Sequence, residues 1–238
     1  MAVLGADFSR QIHAIERQML DKFGVSLTTG HDFDDYQSFL RTARPQHKLG
    51  DPFSPDLHDI KVGELMWAIG RDRLGQIVLC QAFRLLPTGD ASIADYYKQN
   101  FRYFSPSEID VDFERSTYCP GPCARKIWGR IVYSGETWIS DETNKYRGTG
   151  FSALLGRYVF LMSLHKFNAD YLLGFMTGPV AEKGFSIRFG FAHAEPMALT
   201  WYSKDGVDPV QVFMVYNSKE DMKFYLGLPI HEVDVLAA

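Results

Sequence analysis

The feature that most constrains this chain is a glycine-containing turn that leads directly into a long apolar run. Arg147-Gly-Thr-Gly-Phe-Ser152 is followed by Ala153-Leu-Leu-Gly-Arg-Tyr-Val-Phe-Leu-Met162, and a strand-like segment, Glu136-Thr-Trp-Ile-Ser140, precedes the turn. The apolar run predicts a helix. Glycines allow a tight turn in which several backbone N–H groups face the same way, and the helix adds its free N–H groups and the positive end of its dipole. Such a turn can hold a phosphate or a pyrophosphate.

The same pattern also occurs as a plain strand-to-helix connection. The turn is similar, however, to the Arg/Gln-x-x-Gly-x-Gly/Ala loop of the GNAT acyltransferases, which holds the pyrophosphate of coenzyme A. Arg147, Gly148 and Gly150 match that loop, and the small Ser152 stands at its last position. The resemblance implies that the donor is held by Arg147, Gly148, Thr149, Gly150, Phe151 and Ser152, with the main chain of Asp141 and Glu142 pairing with the pantetheine arm.

Composition excludes several other classes of protein. The 238 residues are 46% hydrophobic and 14% aromatic, which is enough for a sizeable core. A net charge of −4 gives no broad basic field for nucleic acid. No apolar stretch reaches the roughly 20 residues of a membrane span, and the N-terminus does not resemble a signal peptide, so a cytoplasmic location is expected. The three cysteines, Cys80, Cys119 and Cys123, predict neither a disulfide framework nor a metal site.

The pattern along the chain predicts alternating helices and strands. Helices are expected over 6–23, 32–41, 93–98, from the turn at Arg147 to about 166, and over 180–189. Strands are expected over 64–70, 76–86, 126–133, 136–140, 170–177, 197–203 and 210–217. This order resembles the GNAT arrangement, which implies an α/β fold with a mixed, mostly antiparallel sheet and helices on both faces. Residues 1–59 would form an N-terminal helical arm and loop of the same domain, and residues 60–238 the GNAT-like acyltransferase core.

Part of the chain is similar to a narrower group, the acyl-homoserine-lactone (autoinducer) synthases. Phe83-Arg-Leu-Leu-Pro-Thr-Gly-Asp90 resembles their Arg-Leu-Leu-Pro-Thr motif, and Leu40-Arg-Thr-Ala-Arg-Pro-Gln-His-Lys-Leu-Gly50 resembles their upstream arginine-containing segment. The resemblance implies substrate-binding roles for Arg41, Arg84, Asp56 and Asp59. The segments differ from the synthase pattern at Pro45 and Asp51, and the tyrosine that many GNAT enzymes use as a general acid is replaced by Ser186, beside Phe185.

The resemblance implies an N-acyltransferase that moves an acyl group from a pantetheine thioester to the amine of a small molecule. Glu136 and Glu142 are the candidate bases, since the attacking amine must lose a proton. The donor would be acyl-CoA or an acyl-phosphopantetheine on acyl-carrier protein, with no permanently bound cofactor. An apolar tunnel for a longer acyl chain is expected near Phe151, Leu154, Leu155, Phe175 and Met176. The alternatives are an acetyl-CoA-dependent N-acetyltransferase and a non-catalytic GNAT-like ligand-binding protein.

Overall fold

The computed structural model describes residues 2–140, 145–206 and 208–229, with the side chains of residues 2–7 and of Met197 excepted. Eight strands form one sheet: β1 Ser26–Gly30, β2 Leu65–Arg71, β3 Ile77–Leu85, β4 Thr117–Tyr118, β5 Ile131–Ile139, β6 Tyr171–Thr177, β7 His193–Trp201 and β8 Val210–Ser218. Seven α-helices accompany the sheet: α1 Ala2–Gln18, α2 Phe33–Ala43, α3 Ile93–Asn100, α4 Phe151–Phe167, α5 Gly178–Glu182, α6 Phe185–Phe189 and α7 Lys219–Gly227.

The strands lie in the order β1-β2-β3-β5-β6-β8-β7-β4. Every neighbouring pair is antiparallel except β5 and β6, which are parallel and are joined by the crossover helix α4. Helices cover both faces of the sheet. The prediction of an α/β fold with a mixed, mostly antiparallel sheet and helices on both faces is therefore confirmed.

Two apolar layers, one on each face, hold the sheet between its helices. Because neighbouring strand residues point to opposite faces, Met66 and Ala68 of β2 pack with α1 and α4, whereas Trp67 packs with α2 and α3 on the other face. Helix α4 is buried over most of its circumference, which explains why its sequence is apolar on every side.

Several element predictions need correction. The strands predicted at 126–133 and 136–140 are one strand, β5, which continues through Ser134 and Gly135. The predicted helix at 180–189 is two short helices, because Gly184 adopts a left-handed conformation between them. Strand β1 was not predicted because Ser-Leu-Thr-Thr-Gly carries little apolar alternation, and its pairing with β2 supplies the stability that local sequence does not.

Helix α7 was also not predicted, although its start is visible in the sequence. Ser218 accepts a hydrogen bond from the backbone N–H of Asp221, and the Asp221 side chain accepts from the backbone N–H of Ser218, which is a capping box. The buried guanidinium of Arg157 on α4 donates to the carbonyl oxygens of Tyr225, Leu226 and Leu228 at the end of this helix.

Within the described ranges, none of the helices combines the length and the apolar character that a membrane span requires.

The loop after residue 50 contains a partly buried histidine, His58, whose charge depends on pH. Burial, with the nearby Arg84 guanidinium, lowers the pKa of His58 to about 4. The His58 ring packs against Tyr103 and Phe104, and its Nε2 is buried without a hydrogen-bond partner among the described residues. The folded protein therefore disfavours the charged ring, whereas the unfolded chain accepts the proton near pH 6.5.

We predict that His58 makes the protein less stable as the pH falls from about 6.5 towards 4. After discounting for solvent screening of a half-buried ring, the loss is about 1–2 kcal/mol. Melting temperatures of the wild type and of His58→Gln, measured from pH 7.5 to pH 4.5, should converge or cross as the pH falls. Parallel curves would contradict this role for His58.

Candidate functional site

The parallel strands β5 and β6 separate part-way along their length. They pair only over Ile131–Tyr133 with Tyr171–Leu173, and both continue to Ile139 and Thr177 without pairing with each other. Gly174 lies where they part, since a Cβ placed there would lie 2.8 Å from the carbonyl oxygen of Ser134. Beyond this point each strand presents backbone N–H and C=O groups to an opening in the sheet.

A β-bulge shapes the β5 side of this opening. The register between β3 and β5 shifts between Cys80 and Ala82, so that Glu136 and Thr137 lie opposite the single residue Gln81. Glu136 has a φ of 54°, which is uncommon for a residue with a side chain. Hydrogen bonds hold the bulge: the Gln81 amide donates to the carbonyl oxygen of Gly135, and the Thr137 hydroxyl donates to Gln81 Oε1 at 2.7 Å. Strained residues of this kind are concentrated at functional sites.

The bulge holds a buried carboxylate beside the opening. The Glu136 side chain is 6% exposed, and both its oxygens have a partner from the segment after α2. Oε1 accepts a hydrogen bond from the backbone N–H of Gly50 at 2.9 Å, and Oε2 lies 2.8 Å from Nε2 of His47. The other ring nitrogen of His47, Nδ1, lies 3.2 Å from Oε1 of Glu108. The His47 side chain is 10% exposed and that of Glu108 is 63% exposed, so this chain of groups runs from the interior to solvent.

A cavity of about 350 Å³ occupies the opening. Its lining includes Phe53 and Phe104, which belong to the layer on the α2 face, and Phe185 and Phe189, which belong to the layer on the α4 face. The cavity therefore reaches from one face of the sheet to the other between β5 and β6. A ligand approaching from one face can meet a ligand approaching from the other.

The cavity has polar and apolar parts. Its polar lining groups include Arg44, His47, Glu108, Glu136 and Thr137. Its apolar lining includes side chains of β6, α6 and β8 and of the residue Phe191 after α6. These are Phe175, Met176, Phe185, Phe189, Phe191, Val210, Val212 and Val215. Such a site can bind a molecule with an apolar chain and a polar reacting end.

The arginines of the synthase-like segments lie in different places. Arg41 is exposed on α2, and its Nε donates to the carbonyl oxygen of Gln37 in the same helix. Arg44, three residues later, lines the cavity and lies over the ring of Trp138. Arg84 is 2% exposed and donates from Nη1 to the carbonyl oxygen of Pro52 at 2.6 Å. Arg84 thus attaches the loop after residue 50 to β3 and is not part of the cavity lining.

The aspartates predicted to bind substrate lie apart from the cavity. Asp56 and Asp59 are exposed and line an open depression of about 460 Å³ with Phe33, Leu57 and His58. The structure therefore does not bring Asp56, Asp59 or Arg41 together with Glu136.

The glycine turn of residues 147–152 forms the start of α4, as the sequence predicts. Gly148 and Gly150 have φ values of 67° and 82°, and Gly150 is the N-cap residue, with no side chain capping the helix within the described part of the chain. Helix α4 follows β5 and precedes β6, so the turn belongs to the connection that leaves the carboxyl end of β5, the end at which the strands have parted. The side chain of Phe151 is buried in the core, and the first backbone N–H groups of a helix have no acceptor within that helix. Asp141 and Glu142 lie outside the described residues.

The residues expected to border an acyl tunnel fall into two groups. Phe175 and Met176 line the cavity, whereas Phe151, Leu154 and Leu155 are buried in the core around α4. Ser186, the residue that the resemblance aligns with a GNAT tyrosine, is buried in α6, and the neighbouring Phe185 lines the cavity. The described residues contain no group of three His, Cys, Asp or Glu side chains that could hold a metal ion.

Sequence reasoning missed His47, Glu108 and Arg44. His47 lies in the segment Leu40–Gly50 that carries the synthase resemblance, but no pattern within that segment indicates that its ring meets a carboxylate 89 residues later. Gly50 offered a signal that can be recognised afterwards. Glycine permits another group to come close to the backbone, and at position 50 that group is the Glu136 carboxylate.

No protein-family model and no curated protein matches this sequence. Among solved structures, the chain is similar to an N-acetyltransferase from Staphylococcus aureus Mu50 with 12% identity over 82% of this chain and 98% of the other, at a TM-score of 0.44. FeeM, an N-acyl amino acid synthase from uncultured soil microbes, is 7% identical over 84% of this chain and 94% of its own, at a TM-score of 0.48. NAA60 of Arabidopsis thaliana, in complex with acetyl-CoA, is 11% identical over 82% of this chain and 99% of its own, at a TM-score of 0.47. At these scores the likeness carries no inference about activity.

We predict that Gly50→Ala destabilises the protein by displacing the Glu136 carboxylate. The backbone of Gly50 is extended and tolerates a side chain, but a Cβ there would lie 2.6 Å from Glu136 Oε1. The expected cost is about 1–3 kcal/mol in urea unfolding. It should be smaller in a Glu136→Ala background, where the colliding oxygen is gone.

Gly227→Ala is the matched control for this cycle, because nothing lies within 4 Å of its Cβ position and its φ is not positive. An equal cost of Gly50→Ala in both backgrounds would mean that the contact with Glu136 is not what requires glycine at position 50.

Proposed function

We propose that this protein is an N-acyltransferase that moves an acyl group from a pantetheine thioester to the amine of a small molecule. The observation that carries the proposal is the opening between β5 and β6, which crosses the sheet and has a buried carboxylate–histidine pair at its edge. Acyl transfer from a thioester to an amine needs two ligands that meet at one carbonyl carbon and a group that removes a proton from the amine.

The parted strands suit a pantetheine arm. That arm is a narrow chain with amide groups, and the unpaired edges of β5 after Tyr133 and of β6 after Leu173 offer backbone N–H and C=O groups to such amides. At the bulge, Glu136 and Thr137 lie opposite the single residue Gln81, so one residue of β5 has no partner of its own on β3. Backbone N–H groups at this point would stabilise the oxyanion that forms when the amine attacks the thioester.

The start of α4 suits the phosphate end of the donor. The turn of Arg147, Gly148, Thr149, Gly150, Phe151 and Ser152 leads into a helix N-terminus, where free N–H groups and the helix dipole favour an anion. In this proposal acyl-CoA places its pyrophosphate at the turn and its thioester beside Glu136. The main chain of Asp141 and Glu142 would meet the pantetheine arm between them.

The polar part of the cavity suits the amine. Glu136 and His47 would form the pair that receives its proton, and Glu108 would attract a cationic acceptor from solvent. Arg44 would bind an anionic group of the acceptor, a role that the sequence had assigned to Arg41. Arg84 would act indirectly, by holding the loop of Pro52 against β3.

The apolar lining favours acyl groups longer than acetyl. Phe175, Met176 and the valines of β8 form a surface on which each buried methylene contributes about 0.8 kcal/mol of binding free energy. An autoinducer-synthase-like enzyme that uses acyl-carrier protein is the specific form of this proposal. If the enzyme prefers acetyl donors to longer acyl donors, the proposal takes its other form, an acetyl-CoA-dependent N-acetyltransferase.

The experiment is a thiol-release assay with acetyl, butanoyl, hexanoyl and octanoyl donors, each on CoA and on acyl-carrier protein, against a panel of small amines and amino acids. We expect amine-dependent thiol release, with kcat/KM rising with chain length beyond acetyl. Binding of the donors without thiol release from any pair would instead support a non-catalytic ligand-binding protein.

Substitution of Gly150 tests whether the glycine turn of residues 147–152 binds the pyrophosphate of the donor. Gly150→Val should weaken binding of acyl-CoA by tenfold or more, because Val cannot easily adopt the φ of 82° and its side chain obstructs approach to the N–H groups. Binding of the same acyl group on pantetheine, which has no pyrophosphate, should change little. Calorimetric titration of both donors checks this, with the melting temperature as the control for folding. Equal losses for both donors would contradict pyrophosphate binding at the turn.

A further inference from the structure

The His47 ring lies between two carboxylates. Its Nε2 is 2.8 Å from Glu136 Oε2, and its Nδ1 is 3.2 Å from Glu108 Oε1. A neutral imidazole has one N–H and one lone pair, so only one of these contacts is a hydrogen bond while the ring is neutral. Which nitrogen holds the proton determines which nitrogen is a base.

The surroundings of Glu136 decide between the two nitrogens. The Glu136 carboxylate is buried, and the backbone N–H of Gly50 donates to Oε1. Its second oxygen, Oε2, needs a donor as well, because a buried anion without partners is strongly destabilised. Nε2 of His47 is in place to be that donor. Glu108 is 63% exposed and can turn to water, so it places no such demand on Nδ1.

We propose that Nδ1 of His47 is the general base of the acyl transfer and that Glu136 is a positioning residue, which accepts the Nε2–H and so keeps the lone pair on Nδ1. This inference rests on the proposed function and assigns a catalytic residue within it. A buried carboxylate that orients a histidine through one ring nitrogen, leaving the other to exchange protons, is an arrangement known from hydrolases. His47 and Glu108 both line the cavity, and Glu108, the carboxylate that faces Nδ1, is the more exposed of the two.

The ammonium group of the acceptor gives one proton to Nδ1, and the freed electron pair forms the C–N bond to the thioester carbonyl carbon. The C–S bond breaks with its electrons on sulfur, and the second proton of the nitrogen passes to that sulfur. The ring is then an imidazolium with N–H groups directed to both carboxylates. Its Nδ1 proton leaves through Glu108 to solvent, which restores the neutral ring.

Glu136→Gln tests the positioning role without removing much volume. The Gly50 N–H requires an oxygen opposite it, so the new amide must direct its NH2 group at Nε2 of His47. Nε2 can accept a hydrogen bond from this NH2 group only if the proton of the neutral ring moves to Nδ1. The substitution therefore removes the base while keeping His47 in place. Glu108→Gln is the matched control, because it changes the other carboxylate contact and leaves the Nε2–H donor unaffected.

The first experiment needs no substrate. Long-range ¹H–¹⁵N spectra of the histidine side chains, recorded at a pH where His47 is neutral and assigned with His47→Gln, report the tautomer of the ring. We expect the Nε2–H form in the wild type and in Glu108→Gln, and the Nδ1–H form in Glu136→Gln. An Nδ1–H ring in the wild type would overturn the proposal, because that nitrogen would have no lone pair to receive a proton.

The second experiment uses the best donor and amine from the thiol-release panel. His47→Gln should lower kcat/KM by a factor of 10² or more with an unchanged KM for the donor. Adding imidazole should restore part of the rate to His47→Ala, in which space for a free ring is left. A rate in His47→Gln equal to that of the wild type would show that the side chain only positions Glu136, and would overturn the assignment. A wild type that releases no thiol with any pair would reject the proposed function, whereas the spectra would still report the tautomer.

Discussion

The rest of the site depends on the separation of β5 from β6. These strands form the single parallel pair in the described sheet, and they pair over only three residues each before they part. Separation leaves backbone groups without ladder partners, which is costly unless other groups satisfy them. On the other side of β5, the Gln81 side chain holds the bulge at Glu136 by donating to the carbonyl oxygen of Gly135 and accepting from the Thr137 hydroxyl. The opening itself is left for a ligand that can pair with strand edges.

The N-terminal segment completes this opening. Helix α2 and the loop after it carry Arg44, His47 and Gly50 to the bulge, and Arg84 on β3 holds that loop through the carbonyl oxygen of Pro52. The Asp51 carboxylate also accepts a hydrogen bond from the hydroxyl of Ser105, in the segment that bears Glu108. The polar half of the cavity is thus assembled from three distant parts of the sequence. This explains why residues 1–59, predicted as an arm of the same domain, supply residues to the site.

Local pattern predicted much of the fold but only part of the site. The apolar run after Gly150 and the strand patterns are properties of neighbouring residues, so helix α4 and most of the central strands could be predicted. The pairing of His47 with Glu136 joins residues that are far apart in sequence, and one sequence carries no signal for it. Motif resemblance selected Arg41 and Arg84, but tertiary packing places Arg41 on an exposed face and gives the cavity position to Arg44. Glu136 was identified because it lies close to the glycine turn along the chain.

The most direct test is a crystal structure of the protein with a non-hydrolysable 2-oxoalkyl-CoA, in which a methylene inserted between the sulfur and the carbonyl carbon makes a thioether and keeps the carbonyl group. We predict that the pantetheine arm lies between β5 and β6, with its amides hydrogen-bonded to backbone groups after Tyr133 and Leu173, its pyrophosphate at residues 147–152 and its acyl carbonyl beside the bulge at Glu136. A donor bound elsewhere, such as the depression of Asp56 and Asp59, with the opening between the strands empty, would contradict the central claim.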